Sequence, residues 1–140
     1  MDGRTCIKLT GAGQYKIDAI QLSNVIIVSA GATLYLQDIT ITGGNLSDGV
    51  AFTDPAPTNS GGGIYNYGEL NIQSGVRITG NITNDGMSNH GGGGLFNAKG
   101  ATVFMTGGEI SGNTAGHAGG GVCNQGAFNL SGSAVIKGFI

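Results

Sequence analysis

The sequence predicts an all-β protein, a right-handed parallel β-helix (a β-solenoid) of about five coils with three short strands per coil. The main observation is one hexapeptide that occurs three times with small substitutions, at residues 61–66, 92–97 and 119–124. Its apolar fourth residue recurs 31 residues later, from Ile64 to Leu95, and again 27 residues later at Val122. Repeats of about 20 to 50 residues are typical of solenoids, in which each unit buries its apolar face by stacking on the next.

Alternation of apolar and polar residues defines three strands within each unit. In the unit that begins at Ile64, the predicted strands cover residues 64–66, 69–73 and 76–79, with short glycine-containing turns between them. Such alternation is the pattern of a strand with one buried face. The apolar residues on that face are Leu70, Ile72, Val76 and Ile78.

The same pattern extends over the remaining units. We expect coils that start near Ile7, Ile27, Ile64, Leu95 and Val122. The opening coil is expected to place its three strands, in order, at Ile7 and Leu9, at Tyr15 and Ile17, and at Ile20 and Leu22. Connections between parallel strands of one sheet are almost always right-handed, which gives the expected hand of the β-helix.

The last residue of the repeated hexapeptide is always asparagine, at Asn66, Asn97 and Asn124. These residues have the same inward parity as the apolar residue two positions earlier. Since neighbouring parallel strands lie about 4.8 Å apart, each side-chain amide can bond to the next. We expect a structural asparagine ladder. Tyr65, Phe96 and Cys123 form an outward column beside it, either as a contact surface or beneath the loops of the third turn.

The third turn of each coil carries the variation in length, including a long insertion at residues 43–61. Insertions on one edge of a repeat protein often mark a binding face, although such an edge also tolerates sequence drift. The candidate binding residues there are Asp48, Asp54, Asp85, His90 and His117. Two of them, His90 and His117, are weak candidates for metal ligands. Because a site needs three or four ligands, we expect neither a metal nor a cofactor.

Length and composition limit both the architecture and the classes of function. The 140 residues are expected to form one domain, residues 1–140. A net charge of −2 gives no reason to expect a nucleic-acid partner. No apolar run is long enough for a transmembrane helix, so membrane insertion is not expected. Only 14 residues are Asp, Glu, Lys or Arg, so most of the polar surface must be uncharged.

A catalytic site on the strands would have to use the charged residues that the repeat stacks in neighbouring coils. Arg77 and Glu109 occupy matching outward positions in adjacent coils and are expected to form a surface ion pair. Glycoside hydrolysis needs two carboxylates about 5 to 10 Å apart, and no such pair aligns in neighbouring coils. We therefore expect a non-enzymatic protein.

Three motifs in order, Gly-Gly-Gly-Ile-Tyr-Asn (61–66), Leu-Asn-Ile-Gln-Ser-Gly (70–75) and Ile-Thr-Gly-Asn (78–81), give the chain a family resemblance. It resembles the right-handed β-helix repeats of bacterial and archaeal cell-surface, adhesin-like proteins, and more distantly the repeats of polymorphic outer-membrane proteins. The resemblance covers roughly residues 27–138. It implies extracellular or cell-surface display as a stalk or an adhesive element, but no particular ligand. We expect further copies of the chain as the partner, with glycans or a host surface as other candidates.

The ends of the predicted solenoid have no evident cap, and open ends expose unpaired strand edges. The repeat is expected to hold close to a whole number of coils, so that copies stack head to tail into a fibre. The residues assigned to these ends are Cys6, Ile7, Leu9, Val122, Cys123 and Ile136. Across such a junction Cys6 and Cys123 are expected to come within disulfide reach. The alternatives are an excised piece of a longer array with free cysteines, and a carbohydrate-binding or polysaccharide-cleaving β-helix that uses the third-turn edge.

Overall fold

A computed structural model describes residues 5–46, 60–83 and 91–137. These residues contain seventeen β-strands and no helix. The strands in chain order are β1 (Cys6–Thr10), β2 (Lys16–Asp18), β3 (Ile26–Val28), β4 (Thr33–Gln37), β5 (Thr40–Thr42), β6 (Asn45–Leu46), β7 (Ile64–Asn66), β8 (Glu69–Ile72), β9 (Arg77–Ile78), β10 (Ile82–Thr83), β11 (Leu95–Asn97), β12 (Thr102–Met105), β13 (Glu109–Ile110), β14 (Thr114–Ala115), β15 (Val122–Asn124), β16 (Ala127–Leu130) and β17 (Val135–Ile136).

The strands pair in parallel and form four stacked sheets, as in a β-solenoid. We name the sheets in the order in which the chain visits them. The first sheet has the order β3-β7-β11-β15, the second β1-β4-β8-β12-β16, the third β2-β5-β9-β13-β17, and the fourth β6-β10-β14. One passage of the chain through these sheets is called a layer. The described strands make a first layer of β1 and β2, three layers of four strands, and a last layer of β15 to β17.

Like residues lie over like residues throughout the stack. Ile64 pairs with Leu95, which pairs with Val122, as the repeated hexapeptide predicts. In the second sheet, Val103 pairs with Leu70 on one side and Phe128 on the other. The inward side chains of the three middle layers form one apolar core, whose largest fully buried members are Leu36, Ile41, Ile64, Leu70, Ile72, Val76, Ile78, Leu95, Val103, Met105 and Ile110.

The turns between strands use glycine where the backbone needs a positive φ. Gly75, between β8 and β9, has φ of 73°, and a β-carbon there would collide with the Asp38 side chain of the neighbouring layer. In the layer below, Asp38 itself has φ of 51°. Asparagine and aspartate tolerate this left-handed conformation better than most other residues with a side chain. Alternating apolar residues and such tight turns together explain why short strands, not helices, form here.

The first described strand lies in a different sheet from the one predicted. We predicted Ile7 and Leu9 in the first strand of their coil, but Ile7 pairs with Leu34 and Leu9 with Leu36 in the second sheet. Ile17 accordingly lies in the third sheet, beside Ile41. The first layer therefore contributes two strands to the described structure. The prediction of a whole number of three-strand coils is wrong for these residues.

The opening segment shows two further details. The coil expected near Ile27 does begin there, with β3, but Ile26 is the residue that pairs with Ile64, and Ile27 points outward with 57% of its surface exposed. The expected third strand of the opening coil is wrong. Ile20 and Leu22 do not form a strand but lie in an exposed turn. In that turn Ile20 has φ of 48°, an unusual value for a β-branched residue.

A fourth sheet lies where the sequence predicted only a variable third turn. Its strands have two residues each, Asn45–Leu46, Ile82–Thr83 and Thr114–Ala115, and they pair in register across the three middle layers. The prediction of three strands per coil is therefore wrong for these layers. The strands are too short for alternation to show in the sequence, so only the recurrence of Ile-Thr-Gly-Asn or Ile-Ser-Gly-Asn before two of them signals their position.

Two residues in one inward column test how far the core extends along the stack. Ile72 is fully buried in the third layer, whereas Leu130, in the last layer, is 54% exposed. We expect Ile72→Ala to lower the free energy of unfolding of the monomer by about 2–5 kcal/mol, because it leaves a cavity among packed neighbours. Leu130→Ala should cost less than about 1 kcal/mol. Urea denaturation at a low protein concentration measures both, and equal losses would contradict a core confined to the middle layers.

Candidate functional site

The three asparagines of the repeated hexapeptide lie one above another at the end of the first-sheet strands. Asn66 Nδ2 donates to Asn97 Oδ1 over 2.9 Å, and Asn97 Nδ2 donates to Asn124 Oδ1 over 2.8 Å. Asn66 Nδ2 also donates to the Thr102 carbonyl, and Asn97 Nδ2 to the Ala127 carbonyl. Asn66 and Asn97 are fully buried, so the ladder satisfies polar groups inside the stack rather than offering them to a ligand.

A second asparagine ladder, which sequence reasoning missed, lies between the third and fourth sheets. Asn81 Nδ2 donates to Asn113 Oδ1 over 3.0 Å, and the backbone N–H of Asn81 donates to the same oxygen. The Asn113 amide donates to the Ile78 and Ser111 carbonyls. Both residues are buried. They belong to the Ile-Thr-Gly-Asn and Ile-Ser-Gly-Asn motifs, whose recurrence was the available signal.

The third glycine of the repeated hexapeptide makes room for this second ladder. A β-carbon on Gly63 would lie 2.9 Å from Asn81 Nδ2, and one on Gly94 would lie 2.7 Å from Asn113 Nδ2. In the second layer the two sizes are exchanged, because Val25 takes the place of Gly63 and Gly44 takes the place of Asn81. The larger residue therefore stands on the first-sheet side of this corner in the second layer and on the fourth-sheet side in the next two layers.

Gly94 and Gly121 provide a matched test of this packing. At Gly94 a β-carbon would also meet the Gly121 carbonyl oxygen at 2.7 Å, whereas at Gly121 the nearest atom is an Ile136 methyl at 3.5 Å. Neither glycine has a positive φ. We expect Gly94→Ala to lower the free energy of unfolding by about 1–3 kcal/mol through overpacking, and Gly121→Ala to change it by less than about 0.5 kcal/mol. Thermal denaturation followed by circular dichroism distinguishes the two variants. Equal sensitivity would mean that the second ladder does not set the requirement for glycine.

The outward column of the first sheet forms a second apolar cluster. Tyr65 and Phe96 are buried, with ring centroids 4.8 Å apart, and Tyr67 stacks on Tyr65 at 4.3 Å. Burial raises the pKa of the Tyr65 hydroxyl well above its usual value, and the Tyr67 hydroxyl adds to the effect. Burial also raises the pKa of the half-buried Cys123 thiol. Since Tyr65 and Phe96 are covered, this column is not an exposed aromatic contact surface.

The last layer leaves the inward side chains of the stack partly uncovered. Val122 and Ile136, two of the residues assigned to this end, are half-buried, as is Phe128 between them. Leu130 is more exposed than any of these. The outer edges of β15, β16 and β17 have no neighbouring strand among the described residues. This surface therefore combines apolar side chains with unpaired backbone groups.

The first layer forms the surface at the opposite end of the stack, and its inward apolar residues are also partly exposed. Ile7 is 50% exposed, while Leu9 and Ile17 are half-buried. Because this layer has no first-sheet strand among the described residues, a groove of about 410 Å³ opens between β1 and the free edge of β3. The apolar residues that line it include Ile7, Leu9, Ile26, Val28 and Leu34. This end is stepped, whereas the last layer carries a strand in each of the first three sheets.

The predicted meeting of the two cysteines across a junction does not fit this topology. Cys6 begins β1 in the second sheet, whereas Cys123 lies in β15 of the first sheet. A second copy that continued the stack would therefore place the two thiols on different sheets. Both cysteines are free in the structure. The prediction failed because Ile7 was assigned to the wrong strand of its coil.

The third-turn edge is only partly described. His117 lies on it and is exposed. The other residues predicted there, Asp48, Asp54, Asp85 and His90, lie outside the described residues, as does most of the insertion at 43–61. No group of three or more potential metal-ligating side chains occurs within residues 5–46, 60–83 and 91–137.

Charged side chains form a short column on the outward face of the third sheet. Arg77 Nη2 lies 3.9 Å from Glu109 Oε1, and Lys137 Nζ lies 3.1 Å from Glu109 Oε2. A hydrogen bond from Ser111, followed by one from Lys137, lowers the pKa of the Glu109 carboxyl. At the other end of this sheet, Lys16 contacts Asp18 at 2.9 Å and lowers the pKa of its carboxyl. These side chains form solvated ion pairs on the surface of the stack.

Comparison with protein-family models, with curated proteins and with solved structures gives no match for this chain. In the described part of the chain, no helix is present that could cross a membrane. The described structure therefore offers three features that bear on function: the stack of parallel strands, its two asparagine ladders and its two unlike ends.

Proposed function

We propose that the protein is a non-enzymatic structural element, a right-handed parallel β-helix whose copies associate end to end. The observation that carries the proposal is that, within residues 5–46, 60–83 and 91–137, both end layers expose apolar inward residues and strand edges without a neighbour. Strand addition at such edges is an established mode of protein association. All four sheets run through each of the three four-strand layers with matched registers. Such regularity suits an extended rod rather than a pocket that binds a small molecule.

Display at the cell surface, as a stalk or adhesive element, is the setting that the sequence resemblance supports. Few charged residues and many Asn, Thr and Ser residues give the outer faces an uncharged polar surface. The alternative of glycan binding at the third-turn edge stays a prediction, because only His117 of its five residues lies within the described residues.

End-to-end association is tested by placing a charge on one end layer. Leu130 is inward and exposed in the last layer, so Leu130→Lys should leave the monomer folded but bury an ammonium group at any junction. Phe104→Lys is the control, because Phe104 is 39% exposed on the outward face of a middle layer. Analytical ultracentrifugation should show mass increasing with concentration for the unmodified chain and for Phe104→Lys, but not for Leu130→Lys.

Negative-stain electron microscopy of the same samples should show rods whose length depends on concentration. A chain that stays monomeric at every accessible concentration would overturn the proposal. So would association that Leu130→Lys leaves intact and Phe104→Lys abolishes, because the contact would then be lateral.

A further inference from the structure

We infer that the junction between two copies has one particular register, in which β16 of one copy pairs with β1 of the next and β17 pairs with β2. The inference rests on the proposed end-to-end association and adds the residues that meet there. The two ends allow this arrangement because, in the described part of the chain, the second- and third-sheet strands of the last layer have no outer neighbour and the first layer consists of strands from those same sheets.

The stepped end excludes the simplest alternative, in which β15 pairs directly with β3. Strands β1 and β2 extend one layer beyond β3, so this pairing would place β1 in the space already occupied by β16. With β16 on β1, the first sheet instead lacks one strand between β15 and β3. The groove lined by Ile26 and Val28 is the described half of that gap.

The registers inside the stack determine which side chains meet in the second sheet. Each second-sheet strand pairs with the next without a shift, so that Cys6, Thr33, Glu69, Thr102 and Ala127 form one column. Continuing that column into a second copy places Ala127 opposite Cys6. It also places Phe128 over Ile7 and Leu130 over Leu9, which covers the most exposed inward residues of both ends. A shift by one residue would turn these side chains outward.

The third sheet adds charge complementarity to this apolar match. Its inward column of Ile17, Ile41, Ile78, Ile110 and Ile136 continues as Ile136 over Ile17. The next residue on each strand then brings Lys137 of one copy opposite Asp18 of the other. Lys137, which contacts Glu109 diagonally within its own copy, would then also face the Asp18 carboxylate, which already contacts Lys16. A shift of two residues would keep the inward parity but lose this pair.

An engineered disulfide tests the register directly. The variant carries Ala127→Cys, keeps Cys6 and replaces the other thiol by Cys123→Ser. Neighbouring in-register strands lie about 4.8 Å apart, within disulfide reach. Within one chain, residues 6 and 127 are four layers apart, about 19 Å, so a bond between them must join two molecules. Mild oxidation should give a ladder of covalent multimers on a non-reducing gel, and Cys6→Ser should abolish the ladder.

Asn129→Cys in the same Cys123→Ser background is the matched control. Asn129 lies on the same outward face, two residues further along β16, where the inferred register places it opposite Lys8. Its diagonal distance to Cys6 is about 7–8 Å between α-carbons, too long for a disulfide. We expect at least about a tenfold lower yield of cross-linked species than for Ala127→Cys. Equal yields, or a higher yield from Asn129→Cys, would overturn the register.

Sedimentation of the reduced variants separates this inference from the proposed function. Concentration-dependent association of Ala127→Cys without a cross-link between positions 127 and 6 would overturn the register but leave end-to-end association standing. No association under reducing conditions would overturn both the register and end-to-end association. A charge exchange gives a second readout: Lys137→Glu and Asp18→Lys should each weaken association about two- to fivefold, and the double variant should recover part of the loss.

Discussion

Pairing of parallel strands without a shift is the constraint on which the rest of this structure depends. Because each strand lies directly over its neighbour, every side chain has its counterpart from the next layer about 4.8 Å away. Apolar residues benefit from such stacking, and so do amides, which donate and accept at the same time. A column of like charges would instead repel itself. In the third sheet, accordingly, the directly stacked charged residues Arg77 and Glu109 have opposite signs, and Lys137 reaches Glu109 diagonally from the last layer.

The two asparagine ladders show how the stack buries polar groups without losing regularity. Each side-chain amide forms a hydrogen bond with a neighbouring asparagine of its own ladder. Asn66, Asn97 and Asn113 also donate to a backbone carbonyl near a corner between two strands. The second ladder depends on glycine at Gly63 and Gly94, whereas Val25 and Gly44 occupy the corresponding positions in the layer before.

The sequence predicted the first three strands of the last three layers because these layers share the repeated hexapeptide, which aligns them without ambiguity, but it missed the fourth-sheet strands. It failed in the opening segment, where that hexapeptide is absent. Ile26, Ile27 and Val28 are all apolar, so alternation could not show which of them points inward. Ile7 and Leu9 have the spacing of Leu34 and Leu36, which was the available signal for the second sheet, but the unknown turn lengths obscured it. The groove beside β3 exists because the first layer has no first-sheet strand among the described residues. It could not be predicted, because the sequence analysis placed Ile7 and Leu9 in that strand.

A parallel stack also limits the kind of association its ends can make. Its two ends are different surfaces, so contact between them is heterologous, and the product is an open filament unless the rotation between copies closes a ring. A contact between two identical first layers would be related by a twofold axis, and its strands would run antiparallel across the junction. It would place Lys8 and Lys16 of both copies at one interface, with Asp18 as the one acidic residue among the described residues of that layer. Head-to-tail contact instead continues the parallel pairing and brings Lys137 of one copy opposite Asp18 of the other.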